Sequence, residues 1–170
     1  ATLLETARSS VKKLVALDEI AVALASTLDI DEVTHAVARN VLRLFGATRV
    51  MVARIHAGGD TLVPAFVLDD GEPVQAAPIR MVDTIMGLAL LEGTPVQRVR
   101  PSSSGDPHWS VAPLDGRPVR LLPYEEEMFA LGVGTVVAVP VLLDAQPVGA
   151  LWLGYEEAAP LSSQDLGLLS

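Results

Sequence analysis

The feature that most constrains this chain is a pair of apolar runs near its C-terminus. Residues 134–157 read GTVVAVPVLLDAQPVGALWLGYEE, and only the short polar break Asp-Ala-Gln-Pro separates the two runs. Runs of this length, rich in β-branched and aliphatic residues, predict two strands joined in a hairpin. Neither run alternates between apolar and polar residues, as a strand with one solvated face would. We therefore expect the hairpin inside a sheet that is covered on both faces.

Helical and strand patterns in the rest of the chain indicate what covers this sheet. The predicted order of elements is α-α-β-β-α-β-α-β-β-α, with a short helix at residues 124–131 and a long irregular stretch at residues 101–118. This order describes a mixed sheet with helices packed on it. We expect the terminal helices on one face, and the middle helices together with the long loop on the other.

Composition and charge exclude several classes of protein. The chain has 170 residues and a formal net charge of −9, and its cationic residues are scattered, so no nucleic-acid partner is expected. Cysteine is absent, which excludes thiol nucleophiles, disulfide switches and thioether-attached cofactors. No apolar run reaches the roughly 18 residues of a membrane span, and the first residues lack the apolar segment of a secretory signal. We expect a cytoplasmic piece of a longer protein, with no membrane partner.

The first 28 residues predict a helix with two apolar stripes. Leucine and alanine recur with the 3-4 spacing of a coiled-coil seam, and Val11, Val15 and Val22 form a second stripe beside it. We expect the valine stripe to face the domain's own core and the seam to pair with a second copy of the chain; one broad core-facing stripe is the alternative. The chain then divides into a dimerisation helix, residues 1–28, and a domain, residues 29–170. The predicted dimer interface consists of Leu14, Leu17, Ala21, Leu24 and Leu28.

Five short segments in the second half of the chain follow one another in a recognisable order. They are EGTPV at 92–96, DPHW at 106–109, LGVGTVVAVPV at 131–141, PVGALW at 147–152 and LSSQDL at 161–166. In this order they resemble the GAF family, the sensory and regulatory domains of bacterial signalling proteins, and the likeness runs from about Asp29 to the end of the chain. It implies an α+β fold with a central antiparallel sheet of about five or six strands, a small-molecule pocket between this sheet and the middle helices, and a dimer formed through terminal helices.

The resemblance also implies a function. Domains of this family usually regulate an attached enzyme, such as a histidine kinase, a phosphatase or a cyclase, so the chain is expected to be a non-catalytic sensory module. Relatives that attach a bilin through a cysteine of this domain, and free-methionine-sulfoxide reductases of this fold, need cysteines that this chain lacks. The Asn-Lys…Phe…Asp-Glu pattern of the members that bind cyclic nucleotides is not found.

Aromatic and adaptable side chains gather near the long loop and the helix after it, in a chain with only 4% aromatic residues. We expect them to line an apolar pocket that holds a small molecule; simple filling of the space over the sheet is the alternative. Arg98 is a candidate anchor for an anion. His108 would serve a sensor based on haem or another cofactor. The predicted ligand-binding residues are His108, Trp109, Tyr124, Met128, Phe129 and Arg98.

Other candidate chemistry has a simpler interpretation. Glu125, Glu126 and Glu127 are interpreted as the acidic first turn of a helix, where carboxylates complement the helix dipole. The three histidines lack metal-ligand spacing, and no set of nucleophile, base and orienting group is recognisable. We therefore expect neither a metal site nor an enzyme. A domain that serves only to dimerise is the remaining alternative.

Overall fold

A computed structural model describes residues 2–25, 31–102, 105–111 and 117–169 of the chain. A single turn of 3-10 helix spans Met81–Asp83. The helices are α1 (Leu3–Ala25), α2 (Asp31–Phe45), α3 (Ile85–Glu92), α4 (Pro123–Ala130) and α5 (Ser163–Leu169). The strands are β1 (Arg49–Ile55), β2 (Thr61–Asp69), β3 (Glu72–Pro73), β4 (Ile79–Arg80), β5 (Val96–Val99), β6 (Trp109–Val111), β7 (Pro118–Arg120), β8 (Thr135–Leu143) and β9 (Gln146–Tyr155).

Within the described residues the main sheet has seven strands. Six of them follow the order β3-β2-β1-β9-β8-β5, and β4 pairs separately with β2. All of these pairings are antiparallel. The predicted hairpin is β8 and β9, which lie inside the sheet with Val139 opposite Leu151. It turns at Asp144 and Ala145, which have φ values of 50° and 63°, as the tightest hairpin turns require.

Both faces of this hairpin are buried, because its side chains alternate between two cores. Val137 and Leu151 face a core shared with α1, α2 and α5. Ala138 and Trp152 face a second core shared with α3 and α4. This arrangement confirms the predicted α+β fold, with the terminal helices on one face of an antiparallel sheet and the short helices on the other.

The face that α1 turns toward the core differs from the prediction. Ile20 and Ala21 are buried there, whereas Val11, Val15 and Val22 expose 58%, 48% and 59% of their surface. The prediction that the valine stripe faces the core is therefore wrong. Ala21 packs inside its own chain, so it is not part of a surface open to a second copy.

The other residues of the predicted seam fall on different parts of α1. Leu14 is 47% exposed, and Leu17 is half-buried against the core of the terminal helices. The side chain of Leu24 and the whole of Leu28 lie outside the described residues, as does Asp29. The predicted leucine seam is therefore divided between the core and the surface.

The stretch predicted as irregular contains a second sheet of two strands. Its strands are β6 and β7, which pair with Trp109 opposite Arg120. The buried Ser110 hydroxyl donates to the Val99 carbonyl oxygen of β5 over 2.6 Å, and Leu121 N–H donates to the His108 carbonyl oxygen over 2.9 Å. The prediction of an irregular stretch is wrong for β6 and for Pro118, the first residue of β7; the two strands form a hairpin fixed to the edge of the main sheet.

Candidate functional site

A cavity of about 590 Å³ lies between α3, the 3-10 turn before it and the β6–β7 hairpin. We call it the α3 cavity. Among the described residues most of its lining is aliphatic, and the polar exceptions are one threonine and two arginines. The lining residues are Ile55, Gly59, Met81, Val82, Thr84, Gly87, Leu88, Leu90, Leu91, Arg98, Val119, Arg120, Leu122 and Pro147.

Helix α3 forms one wall of the cavity, and the local sequence explains its length and position. Thr84 caps its start, with the side-chain oxygen accepting from Met86 N–H over 3.3 Å. Gly93, with φ of 72°, ends it in the left-handed conformation. At Gly87 an added Cβ would lie 2.0 Å from the Met81 carbonyl oxygen, so only glycine lets the helix lie directly against the 3-10 turn.

Hydrogen bonds to Glu125 of α4 hold the start of α3 in place. The Glu125 side chain is fully buried. Its Oε1 accepts from Ile85 N–H over 2.7 Å, and its Oε2 accepts from the Thr84 hydroxyl over 3.0 Å. Oε2 also accepts from Nε1 of Trp152 on β9 over 3.2 Å. One carboxyl group therefore joins the wall of the α3 cavity to α4 and to the central strand of the sheet.

Burial raises the pKa of Glu125 from 4.5 to about 7, because the cost of desolvating a carboxylate outweighs the hydrogen bonds from Ile85, Thr84 and Trp152 that favour the ionised form. When Glu125 is protonated, its O–H needs an acceptor, and the Thr84 oxygen lies within hydrogen-bond distance. The group is thus a buried carboxyl whose protonation changes near neutral pH.

The charges that face the α3 cavity are positive. Arg98 lies on β5, where one Nη1–H donates to the Gln97 carbonyl oxygen over 2.8 Å, and Arg120 lies on β7 of the hairpin. Among the described residues that line this cavity there is no aspartate, glutamate or histidine. The described part of the lining is therefore apolar with two arginines, in a chain whose net charge is −9.

The predicted ligand-binding residues are not brought together in one cavity. Arg98 lines the α3 cavity, whereas Tyr124 and Met128 line a separate cavity of about 490 Å³ between α4 and β4, which we call the α4 cavity. Trp109 lines a third space of about 420 Å³ at the base of the hairpin. Phe129 is buried in the core beneath α4.

His108 lies apart from the α3 cavity and on the surface. Its side chain is 62% exposed, and its Nδ1 lies 2.6 Å from Oε1 of Glu126. It is not among the residues that line the α3 cavity. The geometry thus gives His108 a surface partner on α4 and places it outside the α3 cavity.

Sequence analysis did not identify Glu125 as part of the site, nor the residues of β7. Glu125 lies three and four residues before the buried Met128 and Phe129, so helical spacing could have placed it on the buried face of α4. Val119 and Arg120 carried no such signal, because β7 has only three residues. A strand of that length shows no periodicity that sequence analysis could recognise.

Comparison with protein families settles the identity of this fold. A family model described as the GAF domain matches residues 27–170, which is most of the chain. The chain belongs to the GAF domain family. No curated protein matches its sequence.

Solved structures show the same fold at low sequence identity. A phycocyanobilin-bound GAF domain from a cyanobacterial phytochrome is 16% identical, with 92% of this chain and 86% of that chain covered and a TM-score of 0.61. Free methionine-R-sulfoxide reductase from Neisseria meningitidis is 19% identical, with coverages of 91% and 79% and a TM-score of 0.57. The GAF domain of a two-component sensor histidine kinase from Bacillus halodurans is 17% identical, with coverages of 78% and 80% and a TM-score of 0.55.

These neighbours include sensory domains and an enzyme, so the GAF fold by itself does not separate the two roles.

In the part of the chain that the structure describes, no helix is both long enough and apolar enough to cross a membrane.

Proposed function

We propose that this GAF domain is a non-catalytic sensory module that binds a small molecule in the α3 cavity. The observation that carries the proposal is the cavity itself. Its volume of about 590 Å³ is within the usual range for small-molecule sites, and its lining is aliphatic with a few polar groups. The β6–β7 hairpin and α3 flank it on two sides, so an apolar ligand bound there would remove part of its surface from water.

The chemistry of the lining supports binding without catalysis. Proton transfer or nucleophilic attack needs a base or nucleophile within reach of the bound molecule. Arginine and threonine are the only polar side chains among the described lining residues, and the Thr84 hydroxyl already donates to Glu125. The chain also lacks cysteine, so it offers no thiol chemistry.

The connections of the cavity suggest how occupancy reaches the terminal helices. Glu125 links the start of α3 to Trp152 of β9, and the next residue of that strand, Leu153, packs under α1, α2 and α5 on the opposite face. Lys13 of α1 and Asp165 of α5 form an ion pair of 2.6 Å, mostly shielded from solvent. A ligand that moves α3 would therefore bias how these helices pack, and through them an attached effector such as a histidine kinase, a phosphatase or a cyclase in the cytoplasm.

Dimerisation through α1 is the second part of the proposal. Six of the thirteen exposed large apolar side chains in the described residues belong to this helix. Four of them, which we call the outer face of α1, recur with 7-4-7 spacing, the spacing of a two-helix seam. If this face packed against the same face of a second copy, the apolar surface of both copies would be removed from water. The outer face consists of Leu4, Val11, Val15 and Val22.

A neutral apolar fluorophore, 1-naphthylphenylamine, tests the cavity. We expect its fluorescence to rise on addition of the wild-type domain and to stay low with Leu88→Trp, because the larger ring fills the cavity that Leu88 lines. The matched control is Leu142→Trp, a half-exposed leucine at the end of β8 that does not line the cavity. Equal fluorescence with both folded variants would exclude the α3 cavity as the binding site.

Light scattering tests the dimer. Val11→Glu with Val15→Glu places like charges on the outer face of α1 and is expected to give a folded monomer. The control replaces Val63 and Val74, two exposed valines away from α1, by glutamate and should leave the mass unchanged. A wild-type monomer, or an unchanged dimer in the α1 double variant, would contradict this interface.

A further inference from the structure

We infer that Glu125 is a positioning residue for the α3 cavity: its carboxylate form holds α3 in the geometry that binds the ligand, and its protonation weakens binding. The inference rests on the proposed function and adds the regulation of that site by pH. Glu125 is not among the described residues that line the cavity. It acts through the start of α3, to which it is hydrogen-bonded.

The hydrogen bonds around the Glu125 carboxyl suit its ionised form. Oε1 accepts from Ile85 N–H over 2.7 Å, and Oε2 accepts from the Thr84 hydroxyl over 3.0 Å and from Trp152 Nε1 over 3.2 Å. All three neighbours are donors, and a carboxylate has enough lone pairs to accept from each of them. Hydrogen bonds to an ionised acceptor are also shorter and stronger than neutral ones. The carboxylate therefore holds the first turn of α3 firmly.

Protonation of Glu125 adds a hydrogen without adding an acceptor. The new O–H can donate to the Thr84 oxygen, and the Thr84 hydroxyl must then turn its own hydrogen elsewhere. Among the described residues this hydroxyl has only two hydrogen-bond partners, Glu125 and Met86 N–H, and the second is itself a donor. Thr84 is fully buried, so water does not supply the missing acceptor. An unpaired donor is thus left at the start of α3 unless this turn shifts.

The first turn of α3 sets the shape of the cavity. Gly87 in this turn lies directly against Met81 of the 3-10 turn, and both residues line the cavity. Because contacts between apolar groups weaken steeply with distance, a shift well below 1 Å changes how a ligand packs there. The affinity of the cavity therefore depends on whether Glu125 is ionised. The residues of α3 in the described lining are Gly87, Leu88, Leu90 and Leu91.

Other ionisable groups around Glu125 do not take its place. Burial raises the pKa of Glu125 to about 7, and no neighbouring charge contributes to this shift. Tyr124, the preceding residue on α4, stays neutral at this pH because burial raises its pKa to about 12. Within the described residues, no other ionisable side chain is hydrogen-bonded to the Glu125 carboxyl. Those on the surrounding elements are Asp83 before α3, Glu92 at its end, Glu126 and Glu127 on α4, Tyr155 on β9 and Arg49 on β1.

The affinity of 1-naphthylphenylamine for the domain, measured by fluorescence against pH, tests the inference, because this probe carries no charge near neutral pH. We expect the wild-type affinity to be highest above pH 7 and to fall about fivefold or more as the pH decreases through 7. Glu125→Gln is permanently uncharged, so its affinity should be low and independent of pH. Glu127→Gln, an exposed position on the same helix, is the matched control and should behave as wild type.

Carbon-13 NMR of the Glu125 carboxyl carbon in the wild-type chain gives a second measurement that does not depend on how a variant folds. A ligand that prefers the carboxylate must by linkage lower the pKa of that group. The midpoint of the Glu125 titration, near pH 7 in the free domain, should therefore move to lower pH when 1-naphthylphenylamine is bound. A midpoint that stays in place or rises would overturn the inference.

The binding measurements separate the inference from the proposed function. Binding that is independent of pH in wild type, that tightens toward acid, or that keeps its pH dependence in Glu125→Gln would overturn the inference and leave the proposed function standing. Absence of binding at every pH would overturn both.

Discussion

Replacement of Glu125 by Gln tests whether the carboxyl group under α3 is desolvated as its burial implies. Glutamine has almost the same shape, but it presents an N–H group where one carboxylate oxygen stands. That oxygen accepts from Trp152 Nε1 over 3.2 Å, so two donors would face each other in the core. An unmade hydrogen bond of this kind costs about 1–3 kcal/mol. We expect the variant to lose about this much stability at pH 5.

The pH dependence of this loss gives the sharper test. The folded-state pKa of Glu125 is raised from 4.5 to about 7, so between these values the unfolded chain ionises while the folded chain keeps its proton. The contribution of Glu125 to stability is therefore fully present below 4.5 and is lost as the pH rises through 7. The loss amounts to roughly 3 kcal/mol between pH 4 and pH 8. Glutamine does not titrate, so the stability advantage of wild type over the variant should fall by that amount, and by pH 8 it should vanish or change sign.

The assay is urea unfolding followed by tryptophan fluorescence and circular dichroism at several pH values. Glu127→Gln is the control, because Glu127 lies on the same helix and is exposed. It should leave the pH dependence as in wild type. A difference between Glu125→Gln and wild type that is constant from pH 4 to pH 8 would refute the reasoning, because it would mean that the buried carboxyl has an ordinary pKa.

Two further substitutions and one titration test the fold around the site. Leu151→Ala removes a fully buried side chain of the central hairpin and should cost about 2–5 kcal/mol in a denaturant melt; a loss under about 1 kcal/mol would argue against its central position. Gly87→Ala should lower the melting temperature and weaken 1-naphthylphenylamine binding, because the new methyl group would lie 2.0 Å from the Met81 carbonyl oxygen and push α3 away; unchanged values for both would contradict the close approach. Burial raises the pKa of Tyr124 to about 12 and that of Tyr155 above its ordinary value, so in absorbance titration the folded domain should form no tyrosinate near pH 10, and a transition there would contradict both environments.

The sheet could be predicted from the sequence because its evidence is local. The two runs of β8 and β9 are apolar at successive positions, and only burial on both faces explains that pattern. The order of elements then placed the terminal helices on one side. These inferences need no knowledge of which residues distant in sequence come into contact.

The packing of α1 and the site could not be predicted in the same way. Apolar residues occur around most of α1, so spacing alone does not say which stripe faces the core; the small Ala16 and the branched Ile20 turned out to do so. The α3 cavity combines residues from β1, the 3-10 turn, α3, β5 and the β6–β7 hairpin. Only the tertiary fold brings these residues together. The aromatic residues predicted to bind the ligand had been grouped because they lie near one another in the sequence, which does not identify a shared cavity.

The central claim, that the α3 cavity is the ligand site of this sensory domain, is tested most directly by methyl NMR of the domain with bound 1-naphthylphenylamine. Isoleucine, leucine, valine and methionine methyl groups are labelled, and contacts between the rings of the probe and the protein are measured as intermolecular nuclear Overhauser effects. The account predicts contacts to Ile55 of β1, Leu88 of α3, Val119 of β7 and Leu122, the residue before α4, all of which line the cavity. Contacts confined to Met128 in the α4 cavity, with none to these four side chains, would contradict it.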